Sequence, residues 1–286
     1  MRKNALLGVI LVLALTSIAC SLSGNAPQNQ NIGQTETLAI NEASPATSSS
    51  ASAGLVIGMG GGKLNMRTGG EKLVSGTIAY NVPAWKPEIS RSDKEVRIEQ
   101  TIHDASFLGG NVVNNWDLLL GNVPMDLSIQ AGAYEGRLDL SGVPLTALRI
   151  SDGASKATVN FDKPNPVSMT NFTYSTGASN ITLQGLLNAN FDEMNFKGGA
   201  GNYSLDFSGK ITREVKVFID SGLGNITLNI PHGINAQINV SGGLNNVSTQ
   251  GTWTIEGQEY RTTATEGSLL KIQVNVGMGN LQLVSK

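Results

Sequence analysis

A glycine recurs along this chain at a nearly fixed interval, and its surroundings recur with it. Taking Gly222 of "GLGN" as reference, equivalents stand at Gly132, Gly153, Gly177, Gly199, Gly243 and Gly277. In chain order the spacings are 21, 24, 22, 23, 21 and 34 residues. An eighth copy is read at Gly58, in "GMGGGKLNM". Five residues before the glycine stand Leu127, Leu148, Phe172, Met194, Val217, Ile238 and Ile272, and three before it Ile129, Ile150, Tyr174, Phe196, Ile219, Val240 and Val274. Six after it come Leu64, Leu138, Val159, Leu183, Leu205, Leu228 and Leu283, with Thr249 alone breaking the column. Apolar residues two apart on both flanks predict two short strands per copy, each burying one face.

Polar residues fill the alternate places. Asn65, Asp139, Asn160, Gln184, Asp206 and Asn229 follow the leucine column, and Asn180, Asn202, Asn225, Asn246 and Asn280 stand three residues after the glycine. The glycine is expected to turn the backbone at positive φ. Asparagine suits a corner, and stacked asparagines can form amide ladders. A period of about 22 residues with these features predicts a β-solenoid, whose coils stack at ~4.8 Å. The structural rival is a row of β-hairpins turning at the glycine in an antiparallel sandwich. The stretch "TQGTWTIEGQEYRTTATEG" accounts for the one long interval as an insertion. Between Leu64 and Val123 the repeat lapses; "GTIAYNVPAWKPEI" and "KEVRIEQTIHD" alternate as strands and are read as a β-module capping the first coil.

The chain opens "MRKNALLGVILVLALTSIAC", a short basic start followed by about eleven apolar residues. That is too short for a membrane span and has the anatomy of a secretory signal peptide. "SIAC" resembles the lipobox of bacterial lipoproteins, with Ser17 where leucine is usual, which makes Cys20 the candidate lipidation site. Ser17 and Ala19 also satisfy the small-residue rule for ordinary signal-peptide cleavage with release of a soluble protein, but the position of Cys20 and the tether after it favour the lipoprotein. Cys20 is the only cysteine, so its use as an anchor leaves no disulfide or thiolate site. The Ser-, Ala- and Asn-rich residues after it read as a tether. The expected divisions are 1–20 signal peptide, 21–54 flexible tether, 55–122 N-terminal β-module and 123–286 solenoid.

Chemistry is sparse in this pattern. The formal charge is −2, and there is no basic run to meet a nucleic acid. Asp139 and Asp206 share an outward column but fall three coils apart, ~14 Å, beyond the carboxylate separation of glycoside hydrolases. Asp192 and Glu193 are adjacent and point apart; Lys210, Arg213, Glu214 and Lys216 read as a mixed surface. His103 and His232 lack partners at metal-ligand spacing, apart from Asp104 beside His103. "GGAGNYSLDF" places Tyr203 where a calcium-binding nonapeptide repeat needs aspartate. Asn180-Ile181-Thr182 and Asn225-Ile226-Thr227 match glycosylation sequons, but the repeat explains them as a corner asparagine beside an outward β-former.

The segment "NNWDLLLGNVPMDLSIQAGAYEGRLDLSGVPLTALRI" resembles the toast-rack family of bacterial cell-surface proteins, and "YNVPAWKPEI" resembles that family's N-terminal domain. The tail "LLKIQVNVGMGNLQL" is similar to the C-terminal domain of LiaF-type cell-envelope stress proteins and to adhesin-like proteins of stacked β-architecture. LiaF-type proteins carry several transmembrane helices ahead of this domain, where this chain carries a signal peptide and tether. The resemblance, over Leu55 to Lys286, implies a fold and a surface location and brings no active-site residues. The expectation is therefore an all-β, non-catalytic, extracytoplasmic lipoprotein held at a bacterial membrane by its lipid. It has no cofactor or nucleic-acid partner and presents a rigid solenoid for adhesion, binding of a protein or glycan, or envelope-stress sensing. A carbohydrate-active enzyme on the same fold is the alternative from another class, and self-association through a C-terminal coil ending "GNLQLVSK" is a second binding reading.

Overall fold

Apolar side chains two apart on either side of a glycine dictate strands that bend, and the chain forms such strands repeatedly. The computed structural model describes residues 32–45, 52–101, 111–243 and 246–286; Cys20 and His103 lie outside them. In chain order the strands begin with β1 (Glu36–Glu42), β2 (Ala53–Gly70), β3 (Val74–Tyr80), β4 (Glu88–Arg91), β5 (Glu95–Glu99) and β6 (Asn114–Gly121). There follow β7 (Met125–Asp139), β8 (Leu145–Asn160), β9 (Met169–Gln184), β10 (Phe191–Asp206) and β11 (Val215–Ile230). The chain ends with β12 (Ala236–Gly242), β13 (Asn246–Gln250), β14 (Trp253–Glu256), β15 (Glu259–Thr262) and β16 (Leu270–Ser285).

Each long strand is one coil, folded about its glycine into a leading and a trailing arm. In β9 the buried residues run Phe172, Tyr174, Thr176 and then Ser179, Ile181, Leu183, so the inward parity switches across Gly177 and Ala178. Both arms therefore face one core, and Phe196 of a leading arm meets Tyr203 of the trailing arm at 5.0 Å between ring centroids. Coils stack in parallel and in register: β2, β7, β8, β9, β10, β11, β16. Parallel pairing is what a solenoid requires, and it excludes the antiparallel hairpin rival.

The corner glycines are explained by closeness. A Cβ on Gly153 or Gly222 would lie 2.9 Å from the carbonyl oxygen of the glycine one coil below, and one on Gly277 2.6 Å; Gly177 and Gly199 are tighter still. None of the seven reference glycines has positive φ, contrary to the expectation from sequence. Only a residue without a side chain lets consecutive corners approach this far.

Register corrects the eighth copy. Gly58 lies beside Gln130, and it is Gly60 whose carbonyl faces Gly132, so the partner of Leu138 is Met66 rather than Leu64. The ordered fold also begins earlier than the expected tether boundary, because Glu36–Glu42 forms β1. β2, within the stretch read as the N-terminal module, is itself a full coil paired with β7. Past β2 the leading arm continues as β5 and antiparallel β4, and the trailing arm as β6, β3 and β1, which cap that end.

At the other end, sequence order and spatial order part company. β16 inserts between β11 and the pair β12 and β13, so the last strand is interior and the coil of Gly243 is outermost. The long insertion is the excursion that makes this possible, and it carries the hairpin β14–β15 against β12. Thr249 breaks the leucine column because, among the described residues, β13 has no strand beyond it, and the side chain is exposed. The segment "GNLQLVSK" is thus not an open end.

Candidate functional site

The inward alternation that sets the fifth and third residues before each glycine also sets the residue immediately before it. On the middle coils, β8 to β11, those positions hold Asp152, Thr176, Gly198 and Ser221, which gathers polar groups inside the corner. Asp152 is 8% exposed; its Oδ2 accepts from the Tyr174 hydroxyl (3.0 Å) and its Oδ1 from Thr176 and Ser179 (3.3 Å). Ser179 Oγ in turn contacts Thr176 Oγ1 (2.6 Å) and accepts from the Ser155 amide (2.8 Å). Room for the neighbouring rings comes from glycine: a Cβ on Gly136 would strike the Tyr134 ring, and one on Gly198 the Tyr203 ring. The Tyr134 and Tyr203 hydroxyls and Ser221 Oγ are buried without a hydrogen-bond partner among the described residues.

Burial pushes the Tyr134 and Tyr174 hydroxyls well above the ordinary tyrosine range, and the charge of Asp152 pushes the same way. Tyr203 is raised for the same two reasons. All three phenols therefore stay protonated, and Tyr174 is the one that donates to Asp152. Beside the cluster a shallow cleft of about 400 Å³ runs along the leading arm, lined by Ser151, Ser175, Lys197 and Asp220 as well as Asp152 and Thr176. With both oxygens of Asp152 accepting from hydroxyls of the next coil, the carboxyl group acts as a tie between β8 and β9. Sequence reading missed this cluster, although carrying the period-2 alternation one step closer to the glycine finds it.

The residues weighed from sequence fall elsewhere. Asp139 and Asp206 do share a column on the trailing arms, separated by Asn160 and Gln184. Asp139 accepts from its neighbour Ser141 (2.5 Å) and Asp206 from the Ser208 amide (2.9 Å). Arg213 clamps Asp192, Asn190 and Ser168, while Glu214 receives Lys271 (3.0 Å), so the expected mixed surface is a set of ties between coils. Glu193 accepts from Asn195 (2.9 Å) and His232 donates its backbone amide to Lys286 (2.7 Å). Among the described residues no group of three or more His, Cys, Asp or Glu side chains is placed to hold a metal, and no helix is long and apolar enough to cross a membrane.

The exposed face is regular. Asn202 Nδ2 donates to Asn180 Oδ1 (2.9 Å), Asn225 to Asn202 (2.9 Å) and Asn280 to Asn225 (2.8 Å), forming the ladder that the asparagine column predicts. Two residues along, Thr158, Thr182, Ser204, Thr227, Gln282 and Ser248 stack in register.

Fold and surface together define an all-β protein of stacked parallel coils, with buried hydroxyl chemistry at its corner and laddered amides outside. A family model described as the N-terminal domain of toast_rack, DUF2154, matches residues 28–184, more than half of the chain, and the chain belongs to that family. Among solved structures it is similar to a "putative cell adhesion protein" from Clostridium sporogenes ATCC 15579. The two are 21% identical over 88% of this chain and 99% of that one, with a TM-score of 0.48. It is also similar to a "putative adhesin" from Bacteroides fragilis NCTC 9343, 10% identical over 90% and 100% of the two chains, with a TM-score of 0.34. No curated protein matches it.

Proposed function

We propose that this protein is a non-catalytic lipoprotein of the bacterial cell envelope, anchored through lipid on Cys20. Its coils present a rigid polar face to a protein or glycan partner. The observation that carries the binding role is the in-register face of the trailing arms, where the asparagine ladder runs through β9, β10, β11 and β16 and the hydroxyl column through β8, β9, β10 and β11. Such a surface is held flat by the stack beneath it, so its donors and acceptors need little ordering on contact, which favours affinity. The engagement of both Asp152 oxygens by internal donors supports a structural rather than an acid–base role for that group.

Anchoring is tested by membrane fractionation and labelled-palmitate incorporation: wild type enters the membrane fraction with label, and Cys20→Ala releases an unlabelled protein. A labelled or membrane-bound C20A variant overturns the lipid anchor. Binding is tested by pull-down on isolated cell-wall glycan, comparing wild type with a Thr182→Glu, Thr227→Glu variant. Equal retention of the two removes this face from the proposal. Release of sugars by wild type and not by Asp152→Asn would replace it with an enzyme.

A further inference from the structure

The two ends of the solenoid are stepped in opposite senses. Beyond β16 the leading arm runs on through β12, β15 and β14, whereas the trailing arm has only β13. Beyond β2 the trailing arm is the longer one, with β6, β3 and β1 against β5 and β4. Among the described residues β13 pairs only with β16, β1 only with β3, β4 only with β5 and β14 only with β15, so each arm has a free edge at both ends.

Those steps leave the inner face uncovered. Tyr260 stands opposite the fully buried Ile238, and Ile255 opposite Tyr260, so the inner face continues onto the overhanging hairpin. There Ile255 is 52% exposed and Trp253 only half-buried, as is Val247 on β13, the edge of the trailing arm. At the opposite end Ile89 continues the inner face from the buried Ile98 and is 37% exposed, while Leu38, opposite the buried Ile78, is half-buried. Large apolar side chains exposed on inner faces at edge strands mark places where another strand pairs.

We infer that these ends join copies of the chain head to tail, with β1 of one copy adding to β13 of the next beneath its β14–β15 overhang. Strand direction permits it. β1 is antiparallel to β3, which is antiparallel to β6, which is parallel to the coils; β1 therefore runs with β13, and the two can pair in parallel as neighbouring coils do. Lengths match as well. Between β16 of one copy and β2 of the next, the trailing arms supply β13, β1, β3 and β6, and the leading arms β12, β15, β14, β4 and β5. The two rows agree to within one strand spacing, ~4.8 Å. The contact is heterologous, so it extends into a filament and does not stop at a dimer.

The test is sedimentation velocity of the full chain in detergent over a hundred-fold range of concentration. The expected result is a ladder of species growing with concentration. A C-end variant (Val247→Lys, Ile255→Lys) and an N-end variant (Leu38→Lys, Ile89→Lys) should each weaken association at least tenfold. Mixed together, the two variants leave one intact head and one intact tail per pair and should form dimers and nothing longer. Circular dichroism checks folding, and the single substitutions at exposed Ile255 and Ile89 replace any double variant that does not fold. A wild type that stays monomeric well above ~10 µM overturns the inference, since a specific interface of this kind reaches micromolar affinity. Association abolished by the C-end variant and untouched by the N-end variant also overturns it, because that is a symmetric tail-to-tail contact.

Discussion

Asn165 offers a direct measure of what holds the coils together on their third side. It is 3% exposed and uses its whole amide. Nδ2 donates to the Leu145 carbonyl (2.8 Å) and the Ala189 carbonyl (3.1 Å), while Oδ1 accepts from the amides of Leu145 (3.2 Å) and Val167 (3.1 Å). One side chain thus spans three successive coils. Asn165→Ala removes four bonds worth roughly 0.5–1.5 kcal/mol each, and it leaves buried carbonyls unpaired at roughly 1–3 kcal/mol apiece. The Leu145 amide keeps a second acceptor in the Val143 carbonyl (2.9 Å), which trims the loss. The expected destabilisation is about 3–5 kcal/mol. With a urea slope of about 3 kcal/mol/M, the midpoint falls by about 1–1.5 M. Asn180→Ala is the matched control: its amide belongs to the exposed ladder and should cost no more than ~1 kcal/mol. Solenoids can unfold coil by coil, so amide hydrogen exchange accompanies the melt and should show protection lost across β8, β9 and β10. Equal midpoints for the two variants, or a loss under ~1 kcal/mol for N165A, would refute the assignment of coil cohesion to this buried amide.

Three other outcomes follow from the same packing. Gly199→Ala sets a methyl group against the Gly177 carbonyl and should cost about 3 kcal/mol by thermal or urea melting, whereas Gly257→Ala, with no atom within 4 Å, should cost only the strain of its φ of 62°. Tyr134 and Tyr174 hold their protons in the fold at pH values where the unfolded chain has lost them, because burial and Asp152 raise their pKa. The native state then binds more protons, so their contribution is complete below pH ~10 and declines as pH rises beyond it. Urea midpoints on either side of that pH should show the decline and a shallower one in Tyr174→Phe; parallel curves would contradict it. Deleting Leu270–Lys286 removes an interior coil, so hydrogen exchange should show protection lost through β11, β12 and β13 together. Retained protection in β12 and β13 would count against the inserted position of β16.

What could be read from sequence and what could not divides along a physical line. The columns of Leu, Ile, Val and Phe were legible because burial of an alternating face is a local rule, and every coil repeats it. Phe172, Tyr174, Phe196 and Leu228 are buried where that rule puts them. The asparagine ladder was legible for the same reason, since a fixed offset from the corner stacks identical side chains. Register at Gly60 was not, because "GMGGG" offers three glycines and only the approach to Gly132 chooses among them. Asp152 escaped because polar residues were assigned outward by type, although its place in the alternation is inward. The neighbours of a strand were the least legible feature. Repeats that are alike in sequence pair equally well with any other copy, so nothing in "VNVGMGNLQL" says that it lies against "IDSGLGNITLNI" rather than at the end. The one local trace was Thr249. A polar residue in an apolar column is tolerated only where the column meets water, so the broken repeat, not the last one, marks the outermost coil.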